Sequence, residues 1–193
     1  MPPKNFSPGL SFFLWSLFVS TILIYQGLHN IYRQKQINQV FNTAPSQTLG
    51  ISTKTSNCQI RGPLPDPDCT PGGVFSDKTL EQICVSGYTQ TVRNVPLSLR
   101  KQVYAAYGVS YPPPRGSYEL DHHIPLAVGG DNSFANLWPE IGEPKPGFKE
   151  KDVVEIYLRE EVCAGRIDIS VAQQKIAQNW LEIYELKMVN AQV

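Results

Sequence analysis

The stretch YELDHHIPLAVGGDNSFANLWPE, Tyr118 to Glu140, leaves the chain few ways to fold around it. Residues alternate through Tyr118–His122 as a half-buried strand does, and Pro125, which has no N–H to give to a ladder, ends regular pairing. Gly129-Gly130-Asp131-Asn132 is a turn, after which Leu137 and Trp138 begin a return strand. Downstream, KDVVEIYLREEVCAGR places Val154, Tyr157, Leu158 and Val162 on one helical stripe, and Gly165 stands where such a helix stops. The pattern is strand, loop, strand, helix: an α+β arrangement. Ser170-Val-Ala-Gln173 resembles a capping box, and Ile176, Trp180, Ile183 and Tyr184 form a second stripe, so an antiparallel helical pair closes the chain. Upstream, Ser98–Gly108 reads as a helix ending at its glycine, and Tyr111-Pro-Pro-Pro-Arg115 as a rigid spacer.

The 17 basic and 17 acidic residues cancel, so a polyanion partner needs a local basic patch. One exists just before the hairpin. Between Gln82 and Tyr118 there is no Asp or Glu, while Arg93, Arg100, Lys101 and Arg115 all occur. Arg100 and Lys101 fit an ordinary solvated helix face equally well. Arg93 and Arg115 lie in loops and are better placed for phosphate, with Lys149 and Lys151 adding to them. Nothing resembles a base-reading module, which predicts salt-sensitive binding of low sequence specificity.

The N-terminus carries a different signal. From Ser7 to Ile31 there is no Lys, Arg, Asp or Glu, and a run of that length reaches across ~30 Å of hydrocarbon. Residues 1–33 therefore read as a transmembrane anchor or a signal segment. No A-x-A-like cleavage site follows Tyr25, which favours the anchor. Residues 34–57, rich in Gln, Asn, Ser and Thr, read as a polar linker, and 58–190 as the globular domain, with the hairpin–helix motif at 118–155. Cys58, Cys69, Cys84 and Cys163 all lie beyond the apolar run and form no C-x-x-C pair. Two disulfides in an oxidising compartment fit this usage, with three connectivities open. They would staple the Pro- and Gly-rich, loop-rich region around CQIRGPLPDPDCTPGG and put the domain outside the cytoplasm, secreted if the leader is removed.

The spacing D-H-x-I-P-L-x-x-G-G-x-N-x-x-x-N-L over Leu120–Leu137 resembles the core motif of HNH endonucleases. The Trp-Pro that follows, Lys151-Asp152, VCAGRIDISVAQQKIAQNW and the cysteine-bearing stretches are similar to a group of exported bacterial HNH-type proteins. The likeness covers residues 58–185. It implies a ββα-metal core and metal-assisted hydrolysis of DNA, with RNA the alternative. By the resemblance His122 is the general base and Asp121 holds a divalent cation. A hard oxygen site points to Mg²⁺ ahead of Mn²⁺ or Zn²⁺. Asn136 matches the asparagine whose amide pins the base-bearing loop. His123 stands where the pattern is usually apolar, and reads as structural or as a phosphate contact. The family's third metal position, a His or Asn early in the helix, is missing: Gly147 falls near it, leaving Glu150 or Asp152 to supply an oxygen. That departure keeps a second expectation alive, a catalytically inactive nucleic-acid-binding or structural envelope domain that retains the hairpin.

Overall fold

A computed structural model describes residues 8–41 and 48–190, the side chains of residues 8–14, 16, 189 and 190 excepted. It divides into two compact units, one ending at Gln39 and the other beginning at Val40. Helix α1, Pro8–Phe41, makes up the described part of the first, and its last two residues belong to the second. Among the described residues, no helix is long and apolar enough to cross a membrane. This corrects the transmembrane expectation for residues 1–33. Physically, α1 runs without a break into Gln26, His29, Asn30, Arg33, Gln34 and Lys35, and each of those side chains penalises burial in hydrocarbon. Residues 34–41, expected in a linker, also belong to this helix.

In the second unit, short helices α2 (Leu80–Ile83), α3 (Tyr88–Val92) and α4 (Leu97–Ala106) precede the hairpin, and α5 (Phe148–Cys163) and α6 (Ile169–Asn190) follow it. Strands β1 (Tyr118–His122) and β2 (Leu137–Ile141) pair antiparallel, with Asp121 opposite Trp138 and His122 opposite Leu137. Helix α4 ends as its sequence dictates: Tyr107 caps it and Gly108 takes φ +68°. The N-cap of α6 differs from the capping box read at Ser170. Asp168 Oδ1 accepts from the backbone N–H groups of Ser170 (2.8 Å) and Val171 (3.3 Å) and from the Ser170 hydroxyl (2.6 Å). An aspartate beside a helix N-terminus gains from the dipole as well as from the hydrogen bonds, and so takes the cap. Inside α6 the backbone at Asn179 is extended, and its Oδ1 accepts from Leu181 N–H, restarting the helix after a bend.

Two apolar layers hold the hairpin. On one side Val103, Ala106 and Tyr107 of α4 pack with Cys58, Cys69, Leu137 and Trp138. On the other, Val154, Leu158 and Val162 of α5, and Ile176, Trp180 and Ile183 of α6, are buried with Ile124, Leu126 and Val128 from the loop between the strands. The Pro-rich segment is tied in by side chains because it forms so little ladder: Thr70 Oγ1 meets Tyr107 Oη at 2.7 Å, and Trp180 Nε1 donates to the Pro63 carbonyl at 2.8 Å. Two disulfides form, Cys58–Cys69 and Cys84–Cys163. The first closes the loop-rich segment; the second joins the residue capping α2 to the last residue of α5.

Candidate active site

The loop between β1 and β2 is held from inside by Asn136. Its Oδ1 accepts from Ile124 N–H (2.8 Å), while its Nδ2 donates to the carbonyls of Ile124 (2.9 Å) and Asp131 (2.8 Å). With no exposed surface and every polar bond of its amide formed or nearly so, this side chain fixes where the strand ends. The loop passes so close to itself that a Cβ on Gly130 would lie 1.8 Å from the Ile124 carbonyl oxygen. Only glycine fits there.

His122, at the end of β1, is buried, with 2% of its surface exposed. Its Nε2 lies 3.1 Å from Asn132 Oδ1, and the Asn132 amide nitrogen donates to the Val92 carbonyl at 2.8 Å. Asn132 therefore presents an acceptor, which places the imidazole proton on Nε2 and the lone pair on Nδ1. No hydrogen-bond partner meets that Nδ1. Burial, together with the positive charges of Arg93 and Lys151, lowers the pKa of His122, although Asn132 and Asp121 act the other way. At pH 7 the ring is a neutral base.

His122 forms part of the wall of a cleft of about 390 Å³, shared with Arg93, Arg100, Tyr118, Glu119 and Phe148. Arg93 also lines the neighbouring cleft, where Asp152 and Arg159 lie. The carboxyl of Glu119 is pushed up by partial burial and by the charges of Asp121 and Asp152. Base, acid and two guanidinium groups thus face one concave space.

Behind the cleft lies a second polar group. Lys151, the fourth residue of α5, has no exposed side-chain surface. Its ammonium meets Asp121 Oδ2 at 2.5 Å, Glu155 Oε1 at 2.7 Å and the His122 carbonyl at 2.8 Å. Three donors meet three oxygens. Burial raises the Asp121 carboxyl, but the Lys151 ammonium beside it more than offsets this and carries the pKa down to about 2. Glu140, on β2 and without exposed surface, goes the opposite way: burial and the Asp121 charge push it well above the carboxylate range. Burial and the nearby Asp121 charge raise Glu155 to about 7, against the pull of Lys151.

The residues singled out from the sequence divide accordingly. Asp121, His122 and Asn136 come together at the hairpin, and Arg93 joins His122 at the cleft. His123 does not face it: the ring is buried and its Nε2 donates to the Ala177 carbonyl of α6 at 2.9 Å, so it is no phosphate contact. Glu150 does not reach Asp121 either. It accepts from Gly147 N–H at 2.9 Å, closing the first turn of α5, and pairs with Lys145. Asp152 belongs to the neighbouring cleft. Lys149 is exposed, and Arg115 is exposed outside the cleft that its neighbour Gly116 lines. Lys151 is interior, not a surface cation. Sequence reasoning passed over Glu155, Glu140, Glu119 and Asn132. For Lys151 and Glu155 a signal existed: stepping back from Val154 and Leu158 by three or four residues lands both Lys151 and Glu155 near the buried stripe.

The divalent ion implied by the resemblance does not fit beside Asp121 as this chain folds. The carboxylate oxygen facing α5 is already taken by the Lys151 ammonium, and among the described residues no three His, Cys, Asp or Glu side chains converge to hold a metal. Compared with protein-family models, with curated proteins and with solved structures, the chain finds no match in any of the three.

Proposed function

We propose that this domain is an HNH-like phosphodiester hydrolase acting on nucleic acid with little sequence preference. The observation that carries the reading is a neutral imidazole, its buried Nδ1 without a hydrogen-bond partner, on a residue that lines a cleft flanked by Arg93 and Arg100. The guanidinium groups hold a phosphodiester and offset the charge that accumulates on its oxygens in the transition state. His122 Nδ1 removes a proton from the attacking water, while Nε2–H stays on Asn132 and fixes the ring. Glu119, whose carboxyl is raised by partial burial and the charges of Asp121 and Asp152, returns a proton to the departing oxygen. Asp121, ionised and anchored by Lys151, steadies the strand that carries the base. DNA and RNA share the phosphodiester recognised here, and the two disulfides support a compartment outside the cytoplasm.

The test is a dye-labelled DNA and RNA cleavage assay run beside filter retention. His122→Ala should remove cleavage, by ~100-fold or more, and leave retention nearly intact. Replacing Arg93 and Arg100 together by alanine should weaken retention and flatten its salt dependence. A second reading, binding without hydrolysis, is favoured by the small exposure of His122. It prevails if wild-type protein retains nucleic acid but never cuts it.

A further inference from the structure

We infer that Lys151 is the resident cation of this site: its ammonium sits in an oxygen seat built by Asp121, Glu155 and the His122 carbonyl, and so bars divalent ions from it. The geometry is that of a cation site. Three oxygens from two parts of the chain, Asp121 Oδ2 and the His122 carbonyl at the end of β1 and Glu155 Oε1 one turn along α5, converge on the ammonium at 2.5, 2.8 and 2.7 Å. The shortest lies within, and the other two just outside, the roughly 2.3–2.6 Å that oxygen ligands keep from Ca²⁺. Glu140 backs the seat with a further buried carboxyl that has no basic partner. A divalent ion cannot enter while the ammonium stays, because the ammonium is wholly enclosed and both carboxylates that would bind the ion are already spent on it.

The arrangement also explains why a metal-binding residue is not needed early in α5. The lysine side chain comes from the helix and delivers a fixed positive charge to the strand, joining hairpin to helix as a bound ion would. Removing that charge leaves an uncompensated carboxylate pair facing a carbonyl, a site for a hard cation with waters filling the remaining positions.

The inference does not depend on what the cleft binds, so it is tested without nucleic acid. The full chain and its Lys151→Asn and Lys151→Ala variants are titrated with Mn²⁺, followed by the loss of the free-ion electron paramagnetic resonance signal, and their thermal midpoints are measured with Mn²⁺ or EDTA. Wild type should bind no Mn²⁺ tightly and show the same midpoint in both. The variants should be less stable in EDTA, bind about one Mn²⁺ per chain, and recover roughly 5 °C or more when it is added. Adding Asp121→Asn to either variant should abolish that recovery. One tightly bound Mn²⁺ per wild-type chain, lost in Asp121→Asn, overturns the inference. So does a Lys151 variant that gains no Mn²⁺ binding and no stability from it, folded or not. Failure of the hydrolase reading would appear separately, as loss of cleavage or retention with these metal responses unchanged.

Discussion

At the scale of single residues, two neighbouring histidines with the same neutral state have opposite tasks. His122 lines the cleft; His123 is enclosed between hairpin and α6, where burial drives its pKa from 6.5 down to about 4 in spite of its bond to Ala177. Between those two values the unfolded chain takes up a proton that the folded chain refuses. The stability that His123 permits is therefore complete above about 6.5 and falls as pH drops toward 4, by ~3 kcal/mol at most. Urea midpoints measured against pH should show this acid-side loss in wild type, and a His123→Gln variant should lack it. Asn136→Ala removes three buried hydrogen bonds and leaves their partners unsatisfied, which should cost roughly 3 kcal/mol or more. Gly130→Ala should do worse and prevent the loop from closing, visible as loss of cooperative unfolding.

At the scale of elements, the hairpin was legible because its marks are local: alternation in Tyr118–His122, Pro125, the Gly-Gly turn and Asn136. The four-residue α2 and five-residue α3 were not, since neither carries enough periods to stand out. Asp121 and His122 could be read as a pair, yet the partner of Asp121 could not, because its identity depends on which face of α5 meets the strand. A lysine reads as surface by composition, and only the docking of α5 turns Lys151 inward. The α6 cap shows the same limit on a smaller scale, where Asp168 displaced the residue that matched a motif. Asp168→Ala should cost about 1 kcal/mol of stability in thermal unfolding, and Ser170→Ala distinctly less.

At the scale of the whole molecule, cysteine number was readable and connectivity was not, because pairing is decided by distances that only the fold sets. The two bridges close sequence spans of 11 and 79 residues. On loop-closure grounds the longer one stabilises by ~4 kcal/mol and the shorter by ~3 kcal/mol. Replacing Cys84 and Cys163 by alanine should therefore lower the denaturation midpoint more than replacing Cys58 and Cys69. The longer bridge also borders the segment that carries Arg93, so its loss should weaken nucleic-acid retention beyond the fall in stability; retention at a temperature where the variant stays folded separates the two effects. The apolar N-terminal run misled the reading in the other direction. Its length suggested a span, but α1 continues into polar turns that no hydrophobic count over Ser7–Ile31 includes.

The indole of Trp180 reaches 117 positions back along the chain to the carbonyl of Pro63. Trp138 is equally enclosed, while Trp15 has 73% of its surface exposed. The molecule thereby carries its own optical gauge: blue-shifted emission from the interior pair reports whether the proline-rich segment has docked onto the terminal helix. With Trp15 replaced by phenylalanine, that colour alone would follow assembly from the proline-rich segment to the last helix.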